Sequence, residues 1–123
     1  MIYAIQAVGT EYVKIGITER DSIADRLCAL QVGSPHELVL LASADWAIHY
    51  ERHMHRHLRA HWVRGEWFRL APGVAAVIAT MLASPQDPEP FHVLLQAHAT
   101  QRTRRRLGRI LDIRCGAPMP ASV

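Results

Sequence analysis

Two short runs near the N-terminus, IYAIQAV (2–8) and YVKIGIT (12–18), constrain the fold more than any other part of this sequence. Both are rich in β-branched and aromatic residues, which suit a pleated, half-buried surface. Between them, Gly9-Thr10 suits a two-residue type II′ turn, because glycine accepts a positive φ at the first central position. The expectation is an antiparallel hairpin. Period-two alternation sends Tyr12, Lys14 and Gly16 to one side and Val13, Ile15 and Ile17 to the other. Closing the hairpin sets Tyr3 opposite the Lys14–Gly16 stretch. A phenol, an ammonium and a bare glycine then share one small patch. Glycine inside a strand marks either close approach of a ligand or a bulge or tight packing, and the pattern fits both.

The rest of the chain alternates helical and extended patterns. A helix is expected from Asp21 or Ser22 to about Val32, with Ile23, Leu27 and Leu30 on one face and Gly33 as a left-handed terminator. Residues 37–44 (ELVLLASA) read as a third strand, and Asp45 caps a second helix running to about Trp62. VRGEWFRL (63–70) is a turn followed by a short extended segment. Pro72 suits the first turn of a third helix. The stretch SPQDPEP (84–90) reads as a linker, and a fourth helix from about 91 to 111 precedes a frayed tail. The order ββαβα with additional C-terminal helices gives an α/β (α+β) chain, a small sheet flanked by helices.

Half of the 123 residues are apolar, enough for one core. The longest apolar stretch is too short to span a bilayer. With no leader-like start, a cytoplasmic protein is expected. Cys28 and Cys115 have no CxxC spacing, so reduced thiols are expected and neither fits a metal site. Charge is uneven: residues 1–90 carry eight Lys/Arg against ten Asp/Glu, whereas 91–123 carry six Arg and only Asp112. A basic C-terminal segment suits an anionic polymer, and equally a solvated tail.

Chemistry concentrates on the second helix. At about 100° per residue, Ala47, Ile48, Met54, His55, Leu58 and Trp62 fall within about 60° of Glu51, which places that carboxylate inside the apolar stripe. A carboxylate there needs a cation or donors around it, so a structural ion pair and a metal ligand are equal readings. His49, His53, His57 and His61 follow one another at four-residue spacing on the opposite face. The acid that a zinc HExxH motif needs beside its first histidine is missing, so a polar, solvated face is expected there. Arg26, beside Leu27, lies at the edge of the first helix's apolar face, where it can snorkel to solvent.

Together these residues resemble the GIY-YIG nuclease superfamily over roughly residues 1–70. MIYAI stands at the GIY strand and VKIGIT at YIG. Arg26 in DRLCALQ matches the arginine of the first helix, and Glu51 in YERHMH the glutamate of a later one. The closing GEWF (65–68) resembles the phage- and Bro-associated branch, which reads KIG for YIG. The resemblance implies a three-stranded antiparallel sheet flanked by helices, a GIY-YIG-like domain over 1–83, a linker at 84–90, and a basic helix and tail at 91–123.

It further implies an endonuclease that hydrolyses DNA with one divalent ion, Mg²⁺ or Mn²⁺. Glu51 would hold the metal, Tyr3 would activate water or attack, and Arg26 would offset transition-state charge. Lys14, in place of the YIG tyrosine, would hold a phosphate or accept a proton, with Gly16 and His55 in support. Met1 replaces a glycine of no chemical role, Leu30 stands where the family often has histidine, and the late asparagine has no counterpart. Glu66 is the rival acid, placed second to Glu51. Arg102, Arg104, Arg105, Arg106 and Arg109 would grip the DNA backbone. One site per chain would nick unless two copies met as a homodimer. Two other readings compete: a DNA-binding module that has lost cleavage, and a metal-binding or interaction domain built on the histidine helix.

Overall fold

The computed structural model describes residues 1–19 and 22–97. The first hairpin forms from β1 (Ile2–Ala7) and β2 (Tyr12–Ile17), in a register that sets Tyr3 against Gly16 and Ile5 against Lys14. Its turn differs from the expected one. The Thr10 N–H donates to Ala7 C=O at 3.1 Å, so Gly9, with φ +82°, occupies the third position of the turn. That is the place a type II turn reserves for positive φ. Thr10 then fixes the exit, its hydroxyl donating to Ala7 C=O at 2.7 Å and accepting from Tyr12 N–H at 3.1 Å.

Helix α1 (Ile23–Val32) follows, then β3 (Leu38–Ala44), α2 (His49–His57), a 3₁₀ turn (Arg59–His61), β4 (Trp62–Arg64), β5 (Trp67–Arg69) and α3 (Pro72–Ala83). A fourth helix begins at residue 89 and is described to 97. The sheet is antiparallel throughout, in the order β3-β1-β2-β5-β4. It therefore has five strands where three were expected. The additional pair comes from WVRGEWFR, which folds into a second hairpin around Gly65 at φ +54°. Trp62 Nε1 donates to Gly65 C=O at 2.8 Å and pins that turn.

Two helix ends also depart from expectation. Gly33 takes φ −90°, so α1 stops without a left-handed residue; the Gly33 N–H donates to Leu30 C=O instead. Asp45 does not cap α2, which begins at His49; its N–H donates to Pro85 C=O at 2.7 Å.

Tyr3, Ile5, Ala7 and Leu38 pack on one face with Ile23, Leu27 and Leu30 of α1 and with Trp67. Alternation directs Ile2, Ala4, Val13, Ile15 and Phe68 to the opposite face. There α2 contributes Met54 and α3 contributes Val74, Val77, Ile78 and Met81, with Leu58 just beyond α2; all are buried. The stretch after α3 is tied to this body, because Trp46 Nε1 donates to Ser84 C=O at 2.9 Å and its ring stacks on Phe91 at 5.6 Å. Met1–Phe91 make one compact unit. Residues from His92 belong to a second, of which only 92–97 are described.

Candidate active site

Tyr3 stands at the centre of the site. It is fully buried, and its hydroxyl has no partner in good hydrogen-bond geometry, although the Arg26 guanidinium approaches it as a donor. A buried orphan hydroxyl costs stability, which makes it a candidate for function. Space for it is cleared by Gly16 across the ladder. A Cβ at that position would lie 2.6 Å from the phenol oxygen and 2.5 Å from Glu66 Oε2. The phenol and the Glu66 carboxylate thus converge on the volume of one methyl group.

The β4–β5 turn delivers Glu66 there. Ile15 N–H donates to Glu66 C=O at 3.0 Å, which docks the turn on β2 and aims the side chain at Gly16. Lys14, two residues along the same face, meets Glu66 Oε2 at 3.3 Å and lies 5.7 Å from the centre of the Trp67 ring. Its side chain is 15% exposed and that of Glu66 is 40%.

Glu51 comes from the helix on the other face. His55 holds it: Nε2 lies 2.7 Å from Glu51 Oε1 and 2.9 Å from Ile15 C=O, and the ring meets Phe68 edge-on at 4.8 Å. The ladder residue after Ile15 is Gly16, so this dyad is anchored beside the cleared patch. Glu51 is not at the middle of the apolar stripe, as helix projection indicated. Tyr50, Met54 and Leu58 form the buried line, whereas Ile48 and Trp62 are exposed. The helix ends at His57, so projecting it on to Trp62 rotated the stripe away from its true axis.

Electrostatics tie the parts together. Burial raises the Tyr3 pKa above 10.0, the guanidinium of Arg26 opposes the rise, and the charges of Glu66 and, more weakly, Glu51 add to it. Arg26, Glu66 and Glu51 therefore all act on the Tyr3 phenol. Lys14 and Gly16 border the same patch and His55 orients Glu51. Glu66, the rival acid on sequence grounds, acts on the phenol more strongly than Glu51 does. Reading VRGEWF as a hairpin, with Gly65 at its tip, would have set Glu66 beside β2.

The histidine face is not simply solvated. His49 packs on Tyr50 with centroids 4.3 Å apart, and His57 meets Phe91 edge-on at 6.3 Å. Among the described residues no three His, Cys, Asp or Glu side chains converge as a metal cage. Magnesium-type sites need no such cage, because the ion keeps several waters and shares substrate phosphate oxygens with one or two carboxylates. Glu51, 17% exposed and oriented by its histidine, suits that donor set. Arg102, Arg104, Arg105, Arg106 and Arg109 lie outside the described residues.

Comparison with known proteins adds the family. No curated protein and no solved structure matches the chain. Residues 1–83, two-thirds of the sequence and all of the sheet with its three covering helices, match the T5orf172 domain. The chain therefore belongs to the T5orf172 family, phage-associated domains of a nuclease-like kind.

Proposed function

We propose that this chain is a cytoplasmic, GIY-YIG-type endonuclease that hydrolyses DNA phosphodiester bonds with one Mg²⁺ or Mn²⁺ ion. The observation that carries the reading is the buried, unpartnered phenol of Tyr3, cleared by Gly16 and flanked by a guanidinium and carboxylates.

Each residue has a task that follows from its surroundings. A scissile phosphate placed over Gly16 comes within reach of the Tyr3 hydroxyl, which gives up its own proton as it takes one from attacking water, or as it attacks phosphorus itself; in either case the bond from phosphorus to the leaving oxygen breaks. Glu66 is the nearby carboxylate towards which that proton can travel. Arg26 presents a planar fork of donors to the phosphoryl oxygens as negative charge builds. Glu51 would hold the ion, with His55 fixing the carboxylate's direction. When bound, such an ion supplies Lewis-acid polarisation of a phosphate oxygen and stabilises the leaving oxygen. Lys14 adds a cation on the approach to the site, and the C-terminal arginines grip the DNA backbone.

The Lys14–Glu66 ion pair favours a second reading, since it spends on a carboxylate a charge that could otherwise meet phosphate. That reading is a module that binds DNA and does not cut it. Supercoiled plasmid incubated with Mg²⁺ or Mn²⁺ decides between them. The proposal expects nicking by the wild type and none by Glu51→Ala or Arg26→Ala at equal DNA retention. Retention with no cleavage by the wild type, under either ion, would establish the module.

A further inference from the structure

The catalytic patch does not end at Lys14. Along β2 the same face continues to Tyr12, one more step of about 7 Å, and opens on a cleft of about 250 Å³. Tyr12 and Trp67 line it, Ala7 contributes to its floor, and Ser34, His36 and Arg64 border it. Tyr12 is 37% exposed although it is aromatic and sits on a strand. The rim from the α1–β3 loop is already built. Ser34 Oγ donates to His36 C=O at 2.8 Å and accepts from His36 N–H at 3.1 Å. Gln31 donates from Nε2 to the same carbonyl at 2.8 Å and accepts from Leu38 N–H at 2.7 Å.

We infer that this cleft holds an unpaired nucleobase of the DNA strand whose scissile phosphate occupies the Tyr3 patch, an inference that rests on the nuclease reading. Two aromatic side chains around an apolar floor suit the π-face of a base, and every base has one. Basic side chains flank the path of the strand. Lys14 stands between the two sites, with its ammonium over the edge of the cleft at Trp67, and Arg64 closes the far side. From Gly16 to Tyr12 is about 14 Å along the strand, so the backbone between phosphate and base runs over more than one nucleotide. A base stacked within a duplex cannot enter, so the preferred substrate carries single-stranded or unpaired nucleotides beside the cut.

The test is binding without cleavage, by fluorescence anisotropy in EDTA. It uses a labelled single-stranded oligonucleotide, the same strand in a blunt duplex, and the same strand with one abasic residue. Tyr12→Ala is the main variant. Arg64→Ala serves as a second, since both side chains are exposed and the sheet does not depend on them. The inference expects the wild type to favour the single strand over the duplex. It also expects Tyr12→Ala to weaken single-strand binding roughly ten-fold while duplex affinity stays within about two-fold. The abasic strand should bind the variant and the wild type alike. Equal loss on both substrates, or no loss on either, overturns the cleft as a base site while leaving the nuclease reading in place. A wild type that binds neither form would defeat both. Crosslinking of Tyr12 to a peptide and not to the oligonucleotide would assign the cleft to a protein partner and overturn the inference as well.

Discussion

At position 3 the chain keeps a hydroxyl that the core does not satisfy, and at position 16 it omits a side chain that a strand would ordinarily use. The two choices explain one another, and each can be tested singly. Gly16→Ala would set a methyl 2.5 Å from Glu66 Oε2 and 2.6 Å from the Tyr3 oxygen. The Glu66 carboxylate can swing away, but the buried ring cannot, so about 1–3 kcal/mol of destabilisation in urea unfolding is expected, with loss of cleavage. An alanine variant as stable and active as the wild type would mean that the patch is looser than described. Ultraviolet titration of tyrosinate reads the phenol directly. Tyr3 should ionise above 10.0, and Glu66→Gln should bring it down by removing a negative neighbour. The folded state holds this proton more tightly than the unfolded chain. Stability is therefore intact below 10.0 and falls as pH rises through that value towards the folded pKa.

Helix α2 serves both core and site, because its buried line packs on the core while His55 reaches β2 and holds Glu51. Met54, fully buried in that line, should cost about 2–5 kcal/mol on truncation to alanine, as measured by denaturant midpoint. His55→Ala should lower cleavage more than stability, since the core contacts of Met54 and Leu58 remain while Glu51 loses its orienting partner. The hairpin of β1 and β2 was legible because six-residue strands display a period of two and Gly9 marks the turn. The turn and short extended segment of 63–70 are legible too, as the Gly65 turn and β5, but β4 and the pairing that adds both strands to the sheet beside β2 are not, because three residues each are too few for alternation to register. With them went the placement of Glu66, which depends on a long-range bond from Ile15 to the turn. The limits of α2 depart from the local pattern for a related reason: Ile48 and Trp62 continue its apolar pattern, but the 3₁₀ turn after Leu58 diverts Trp62 into the sheet. Tertiary pairing, invisible to local pattern, decided both cases.

At the scale of the whole molecule, the compact unit ends at Phe91 while the basic charge lies beyond it. A fragment of residues 1–91 should unfold in one cooperative transition and keep any nicking activity at low salt. Relative to the full chain, its log–log dependence of DNA affinity on salt should flatten by about one unit for each phosphate contact removed. An unchanged slope would leave the arginine-rich segment without a role in binding. The central claim is that the unsatisfied phenol is retained for chemistry and not for folding, so a single substitution separates the two. The deciding measurement is the single-turnover nicking rate of Tyr3→Phe in Mg²⁺, beside its urea midpoint. The account predicts a rate at least about 100-fold lower in a protein as stable as the wild type or more so. A phenylalanine variant that cuts DNA at the wild-type rate would contradict it.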